Sequence, residues 1–307
     1  MFDNYAEYEY LLAQIQLVLF MLGMGATLVA EDFVRIAKAP RALLVGAWAQ
    51  FFLTPFVAVL VNTLWRFEQL PGIAVGLILM ATLPGGSLSK LFTYLGKGNI
   101  ALSITLTGCG TLAALATVPL FLKFLAAQYV PDEFALPVGL ILRDLILFLI
   151  TPLVLGMMIG RFQPRIRKPF SRWCVRIGFV FVILMVVGSL KSGRIRPGEY
   201  GFHIPIAIIF FCVLSMQVSM LPFRLLRWPK PDCLAVGIEV TMRNINLALL
   251  LKASLFPARQ GSSAIADGVL FVILFYAPVA LGAGLPLALN FRRMIKQEEA
   301  ERLAKSK

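Results

Sequence analysis

The chain has 307 residues, 59% of them hydrophobic, with a mean hydropathy of +0.83. A soluble domain lies nearer half apolar, so a water-soluble globular protein is excluded. Its 29 Lys and Arg outnumber 16 Asp and Glu, yet the excess sits between apolar runs, as the positive-inside rule asks of cytoplasmic loops, and does not imply nucleic acid.

The acidic start, MFDNYAEYEY, lacks the basic region of a cleaved signal peptide. A first span is expected over 10–30, where LGMGATL offers small residues for close helix packing. A second, 42–64, carries Gln50 and Pro55. The third starts near Ile73, breaks over 84–90 and resumes through LFTYLG; the fourth covers 99–126. The fifth, 137–160, holds Arg143 and Asp144, a pair shallow enough to snorkel, although a buried Asp144 could move protons. Two further spans follow over 173–190 and 204–223. Asp232 is expected to cap the eighth, which breaks over 240–244 and resumes as INLALLLKASL. Lys252 and Arg259 are expected as outer-face anchors, and the ninth span covers 264–290.

Nine spans put the termini on opposite sides. An outside N-terminus leaves 31–41, 96–99, 161–172, 224–230 and the tail inside, where most loop Lys and Arg lie. The expected layout is one transmembrane transporter domain, 1–291, with a charged cytoplasmic tail, 292–307, in a bacterial inner membrane.

The two broken spans carry the chemistry. Pro84 removes a backbone donor, and Gly85 and Gly86 are expected to allow conformations that side chains forbid. An unwound polar turn is tolerated at membrane depth only when protein or a water-filled cavity surrounds it. Ser87, Ser89 and Lys90 follow the first break; Glu239, Arg243 and Asn244 surround the second. A carboxylate inside a span is costly and functional by default. Glu239 either pairs structurally with Arg243 four residues on or serves a cation where the breaks cross. Ser103 and Thr107, four apart, share a helix face and could add hydroxyl oxygens or merely bond their own backbone. Ser87 and Asn244 could meet an anion at the breaks.

KGNIALS (97–103) and MRNINLALL (242–250) echo each other, as do LVLFMLGMG and LVLGMMIG. Paired broken helices in matching halves indicate an inverted-repeat transporter, here with the leading helix of its first half missing. The fold class is therefore an all-α membrane protein whose two discontinuous helices cross mid-membrane. Cys109, Cys174, Cys212 and Cys233 have no paired spacing and fit small core residues. His203, the single histidine, lies at a span's edge. Ser87-Leu88-Ser89-Lys90 matches S-x-x-K, but the companion motifs of that acyl-transfer chemistry are missing, and no enzyme is expected.

LPGGSLSKLFTYLGKGNIALSITLT resembles the signature of the bile acid:sodium symporter family, as do GMGATL, Gln50 with Pro55, and the Glu239–Asn244 break. The resemblance implies a helical panel and core, with nine helices rather than ten, and transport of bile acids, sulphated steroids, pantoate or other organic anions. It also implies two sodium sites. Carried over, the first uses Ser89, Lys90, Ser103, Thr107 and Glu239. The second uses Glu239, Val240, Met242, Arg243 and Gln50. Lys90 stands where the family has asparagine, Arg243 where it has glutamine, and Thr241 where it usually has glycine.

Two fixed cations thus stand where relatives bind sodium. At an effective dielectric of about 20, a unit charge at 4 Å repels another by roughly 4 kcal/mol. The expected protein is a secondary transporter of a small or amphipathic organic anion, working by alternating access without sodium. Ser87, Asn244, Lys90 and Arg243 would face the substrate. No cofactor is expected, and bound sodium is disfavoured. The partners are the organic anion and the lipid bilayer. The alternative is a sodium-coupled organic anion symporter in which both basic side chains swing away. Substrate, direction, coupling ion and oligomeric state stay open.

Overall fold

Hydrocarbon offers the backbone no hydrogen-bond partners, so a chain this apolar must satisfy its N–H and C=O groups internally, as helix. The computed structural model describes residues 5–28, 40–86, 88–130, 137–192, 200–256 and 264–305. Among them every regular element is helical, and a lone bridge joins Gly85 to Arg243. The helices are α1 (Tyr5–Gly25), α2 (Pro40–Trp65), α3 (Pro71–Thr82), α4 (Leu88–Leu95), α5 (Ile100–Tyr129), α6 (Val138–Phe162), α7 (Arg167–Lys191), α8 (His203–Leu225), α9 (Lys230–Thr241), α10 (Ile245–Leu255) and α11 (Ala264–Lys305).

Seven of these, α1, α2, α5, α6, α7, α8 and α11, are long and apolar enough to cross a membrane. The protein is a multi-pass membrane protein. The two pairs α3–α4 and α9–α10 are the interrupted helices. The residues of 292–305 continue α11 without a break, so the charged tail begins as a helical extension.

Local chemistry sets the irregularities. Pro55 has no N–H for the preceding turn, and a π-helical turn, Ala49–Leu53, precedes it within α2. The Thr54 hydroxyl donates to the Gln50 carbonyl there, at 2.5 Å. Pro152 has the same effect on α6, where the π-helical turn Leu145–Ile150 is backed by the Thr151 hydroxyl on Ile146 O at 2.8 Å.

The helices form two packed groups. In one, α1 lies against α6 and α7. Gly25 and Gly156 meet at the first contact, where a Cβ on Gly156 would come within 3.0 Å of the Gly25 Cα. The weaker sequence echo therefore has a packing cause: its two members press their glycine faces together. The other group contains α2–α5 and α8–α11, with α3 against α11 and α8 against α9. The groups meet chiefly where α1 and the start of α6 touch α10.

Candidate functional site

The two interrupted helices meet at their breaks. Leu83, just before Pro84, is extended (φ −77°, ψ 148°), as a pre-proline residue prefers, and this ends α3. Gly86 N–H then donates to Met242 O at 2.6 Å, and Asn244 N–H donates to Pro84 O at 3.0 Å. Each break thus satisfies the other's freed backbone groups, which is how unwound chain survives among apolar helices.

The glycines serve this approach rather than unusual torsion. Positive φ among the described glycines occurs at Gly201, not at Gly85 or Gly86. A Cβ on Gly85 would instead overlap the Glu239 carboxylate, and one on Gly86 would lie 2.8 Å from Arg243 O. The expectation of a special backbone conformation is corrected to one of close contact.

The sequence echo of KGNIALS and MRNINLALL is an echo of caps. Asn99 Oδ1 accepts from Leu102 N–H at the start of α5, and Asn244 Oδ1 accepts from Leu247 N–H at the start of α10, both at 3.1 Å. Asp232 does not cap α9, whose N-cap, Pro229, makes no side-chain cap bond. Its carboxylate accepts from Asn99 Nδ2 at 2.7 Å, tying the start of α5 to α9.

Glu239 sits in the last turn of α9 and is fully buried. Ser103 Oγ donates to its Oε2 at 3.1 Å and Thr107 Oγ1 to its Oε1 at 2.6 Å. The i, i+4 spacing on α5 puts both hydroxyls on the carboxylate's side. The Thr107 hydroxyl also lies 2.9 Å from Ser103 O, the local backbone alternative. Ser89 is buried against the same carboxylate, with its hydroxyl 2.8 Å from Gly86 O. The Lys90 charge acts on Glu239 directly.

Arg243 is buried, and its Nη1 donates to Leu83 O at 2.6 Å, on the opposite break. Its other near neighbours are Tyr276, Cys212 and Glu239. Arg243 therefore bonds the facing break rather than forming an i, i+4 ion pair with Glu239. Its Nε and Nη2 find no protein acceptor. Gln50, on the π-helical turn of α2, is buried beside Pro84 and Gly110, and its Nε2 has no protein acceptor. Val240 is buried in α9, and the Met242 carbonyl is already engaged by Gly86.

A cavity of about 160 Å3 opens between the two helix groups. Arg243 and Asn244 line it from the breaks, Phe20 and Phe179 from α1 and α7. Asn244 Nδ2 has no protein acceptor. The wall is thus apolar with a few convergent donors, the make-up of a small-molecule site. Ser87, expected to face substrate, lies outside the described residues.

Sequence reasoning missed Tyr276. It is fully buried in α11, and its hydroxyl donates to Thr241 O at 3.0 Å, beside Arg243. A phenol in mid-span was its signal, since such a group needs a partner. Lys252 was expected as an outer-face anchor; it is instead fully buried, paired with Glu9 across the two helix groups. The snorkelling alternative for Asp144 fails too, because Asp144 is fully buried among hydroxyls.

Buried charge where two broken helices meet within an apolar bundle is the arrangement of a membrane carrier. Comparison with known proteins narrows the class. The sequence profile described as the Sodium Bile acid symporter family matches residues 14–194, which include Gln50, Ser89, Lys90, Ser103 and Thr107. The chain is 31% identical over 245 residues to a Bacillus subtilis protein described as the uncharacterized sodium-dependent transporter YocS, covering 79% of this chain and 74% of that one. It is 37% identical over 246 residues to the probable sodium/metabolite cotransporter BASS1 of Oryza sativa chloroplasts, covering 80% and 59%. It is 27% identical over 237 residues to the human ileal sodium/bile acid cotransporter, covering 76% and 66%. The chain belongs to the sodium bile acid symporter family. It is a transporter, not an enzyme.

Proposed function

We propose that this protein is a nine-span secondary carrier for a small or amphipathic organic anion, in which Lys90 and Arg243 do the work of the coupled sodium ions. On this reading the seven long helices and the two interrupted pairs are the nine spans. They form an inverted repeat that lacks its first helix, in a bacterial inner membrane with the N-terminus outside. The observation that carries the reading is Arg243. Its guanidinium is buried at the crossing, bonded to Leu83 O, and lines the same cavity as Asn244. One acid, Glu239, and two bases surround the breaks, so the site carries one positive charge in excess and reaches neutrality when a monovalent anion is bound. The donors left over on Arg243 and Asn244 are what a carboxylate or sulphate would accept.

Sodium fits poorly against these side chains. A cation beside Glu239 would add to Lys90 and Arg243 at a repulsion of roughly 4 kcal/mol for each charge 4 Å away. The hydroxyls of Ser89, Ser103 and Thr107 favour a second reading, a sodium symporter whose Lys90 withdraws, since they supply the oxygens a hard cation takes. Uptake of radiolabelled organic anions into proteoliposomes, in sodium or potassium buffer, separates the two. Equal rates in both buffers are expected; uptake that rises steeply with sodium overturns the proposal in favour of the symporter.

A further inference from the structure

The geometry points to a polar latch, distinct from the substrate cavity, that holds the two helix groups shut at the N-terminal end of α1 and must break for that end to open. The inference rests on the carrier reading above for its purpose, though not for its test.

Three bonds cross from α1 and α6 to α10. Lys252 Nζ on α10 contacts both oxygens of Glu9 on α1, at 2.7 and 2.9 Å. Asp144 on α6 accepts the Ser254 hydroxyl of α10 at 2.5 Å, and it also accepts the Tyr10 hydroxyl of α1. Gln16 Nε2 on α1 donates to Asn246 O on α10 at 2.8 Å. The order matters. Residues 9 and 16 of α1 meet 252 and 246 of α10, so the two helices run antiparallel and are fastened at both ends of their contact. Glu9 and Gln16, seven apart, stand two turns apart on one face. Phe20 and Asn246 already line the cavity, so the cavity begins where the fastening stops.

Burial makes this cluster a switch rather than a stabiliser. Glu9, Asp144 and Lys252 are all buried at this boundary. A buried ion pair gains little net stability over apolar packing, because both charges give up water, and it is costly to leave half-made. Such groups are satisfied in two situations: dry and paired, or apart and hydrated. When this end of the boundary opens, water enters and supplies the second. A half-open state, dry but separated, satisfies neither. Apolar side chains here would give the reverse, since opening would then expose them to water. A polar fastening thus suits a boundary that must be closed or fully open, and the partners from both helix groups are the ones that separate.

The test uses the full chain in proteoliposomes. Ala13, fully buried on α1 between Glu9 and Gln16, becomes the reporter as Ala13→Cys, with the partly exposed Cys109 replaced by serine. A membrane-impermeant maleimide is added from the side of the α1 N-terminus, and labelling is timed. Glu9→Gln with Lys252→Met, and separately Asp144→Asn, are expected to label about tenfold faster than the parent, equivalent to about 1.4 kcal/mol in the closed–open balance. Ser254→Ala, which keeps every charge, should give a smaller acceleration. Asn62→Ala serves as control, because it removes a buried bond to Ala74 O within one helix group. Unchanged labelling in the latch variants, or equal acceleration by the control, overturns the inference. Labelling needs no substrate. A chain that moves no organic anion defeats the carrier reading alone, and intact uptake with flat labelling defeats the latch alone.

Discussion

The protein buries charge in two places, and they are built in opposite ways. At the crossing, Glu239 faces two bases, Lys90 and Arg243, within one helix group, on backbone that is unwound. Where α1 and α6 meet α10, Lys252 pairs with Glu9, and Asp144 accepts the hydroxyls of Tyr10 and Ser254, on backbone that stays helical. The first has an excess of positive charge beside a cavity and leaves donors over. The second has its charged groups engaged across a buried seam. On the two proposals above, intramembrane charge has two uses in one fold: to present an unmet demand to a ligand, or to meet its own demand until the parts separate.

The sharpest way to break this contrast is at its acid. Glu239→Gln leaves the part-buried Lys90 and the buried Arg243 without their nearby counter-charge, a loss of up to about 3–5 kcal/mol, the scale of an uncompensated buried charge. Uptake is expected to vanish and the melting temperature to fall; retained uptake would remove Glu239 from the site. Gly85→Ala comes next. Its methyl group would collide with the carboxylate, and overpacking of this kind costs about 1–3 kcal/mol. Thermal unfolding in detergent reads the loss, and an undisturbed variant would contradict the packed approach of the breaks.

Lys90→Asn with Arg243→Gln sharpens the comparison further by restoring the residues the family pattern carries. Sodium should then stabilise the variant by about 1 kcal/mol, a rise of roughly 2–4 °C that potassium does not give. The same rise in the parent chain would show that its fixed cations do not replace the ion. The smallest effect belongs to the seam. Ser254→Ala removes one hydroxyl from Asp144 and should lower stability by about 0.5–1.5 kcal/mol in denaturation by urea or heat, with uptake preserved.

Much of the crossing was legible in the chain. Proline and paired glycines inside an apolar run announce a break, and Glu239, Ser103 and Thr107 carry polarity at spacings that a helix turns to one side. The repeated string marked both helix starts, but not the asparagine caps that form them. What one sequence could not give was the pairing of distant partners. Lys252 beside an apolar end looks like an anchor until Glu9, 243 positions earlier, is brought against it. Asp144 likewise depends on Tyr10 and Ser254, each on a different helix. Turn chemistry is local, so the glycines at 85 and 86 suggest special torsion; their actual constraint is a carboxylate and a carbonyl from the other break.

The pair of backbone bonds joining Pro84 to Asn244 and Gly86 to Met242 has a mechanical consequence. Two segments more than 150 positions apart become a single crossbeam, with Arg243 as a third tie to Leu83. A molecule that tugs on the Asn244 amide pulls the other half of the beam with it. On the proposed function, a load on the Asn244 amide would be shared by α3, α4, α9 and α10 together instead of dissipating in a loop.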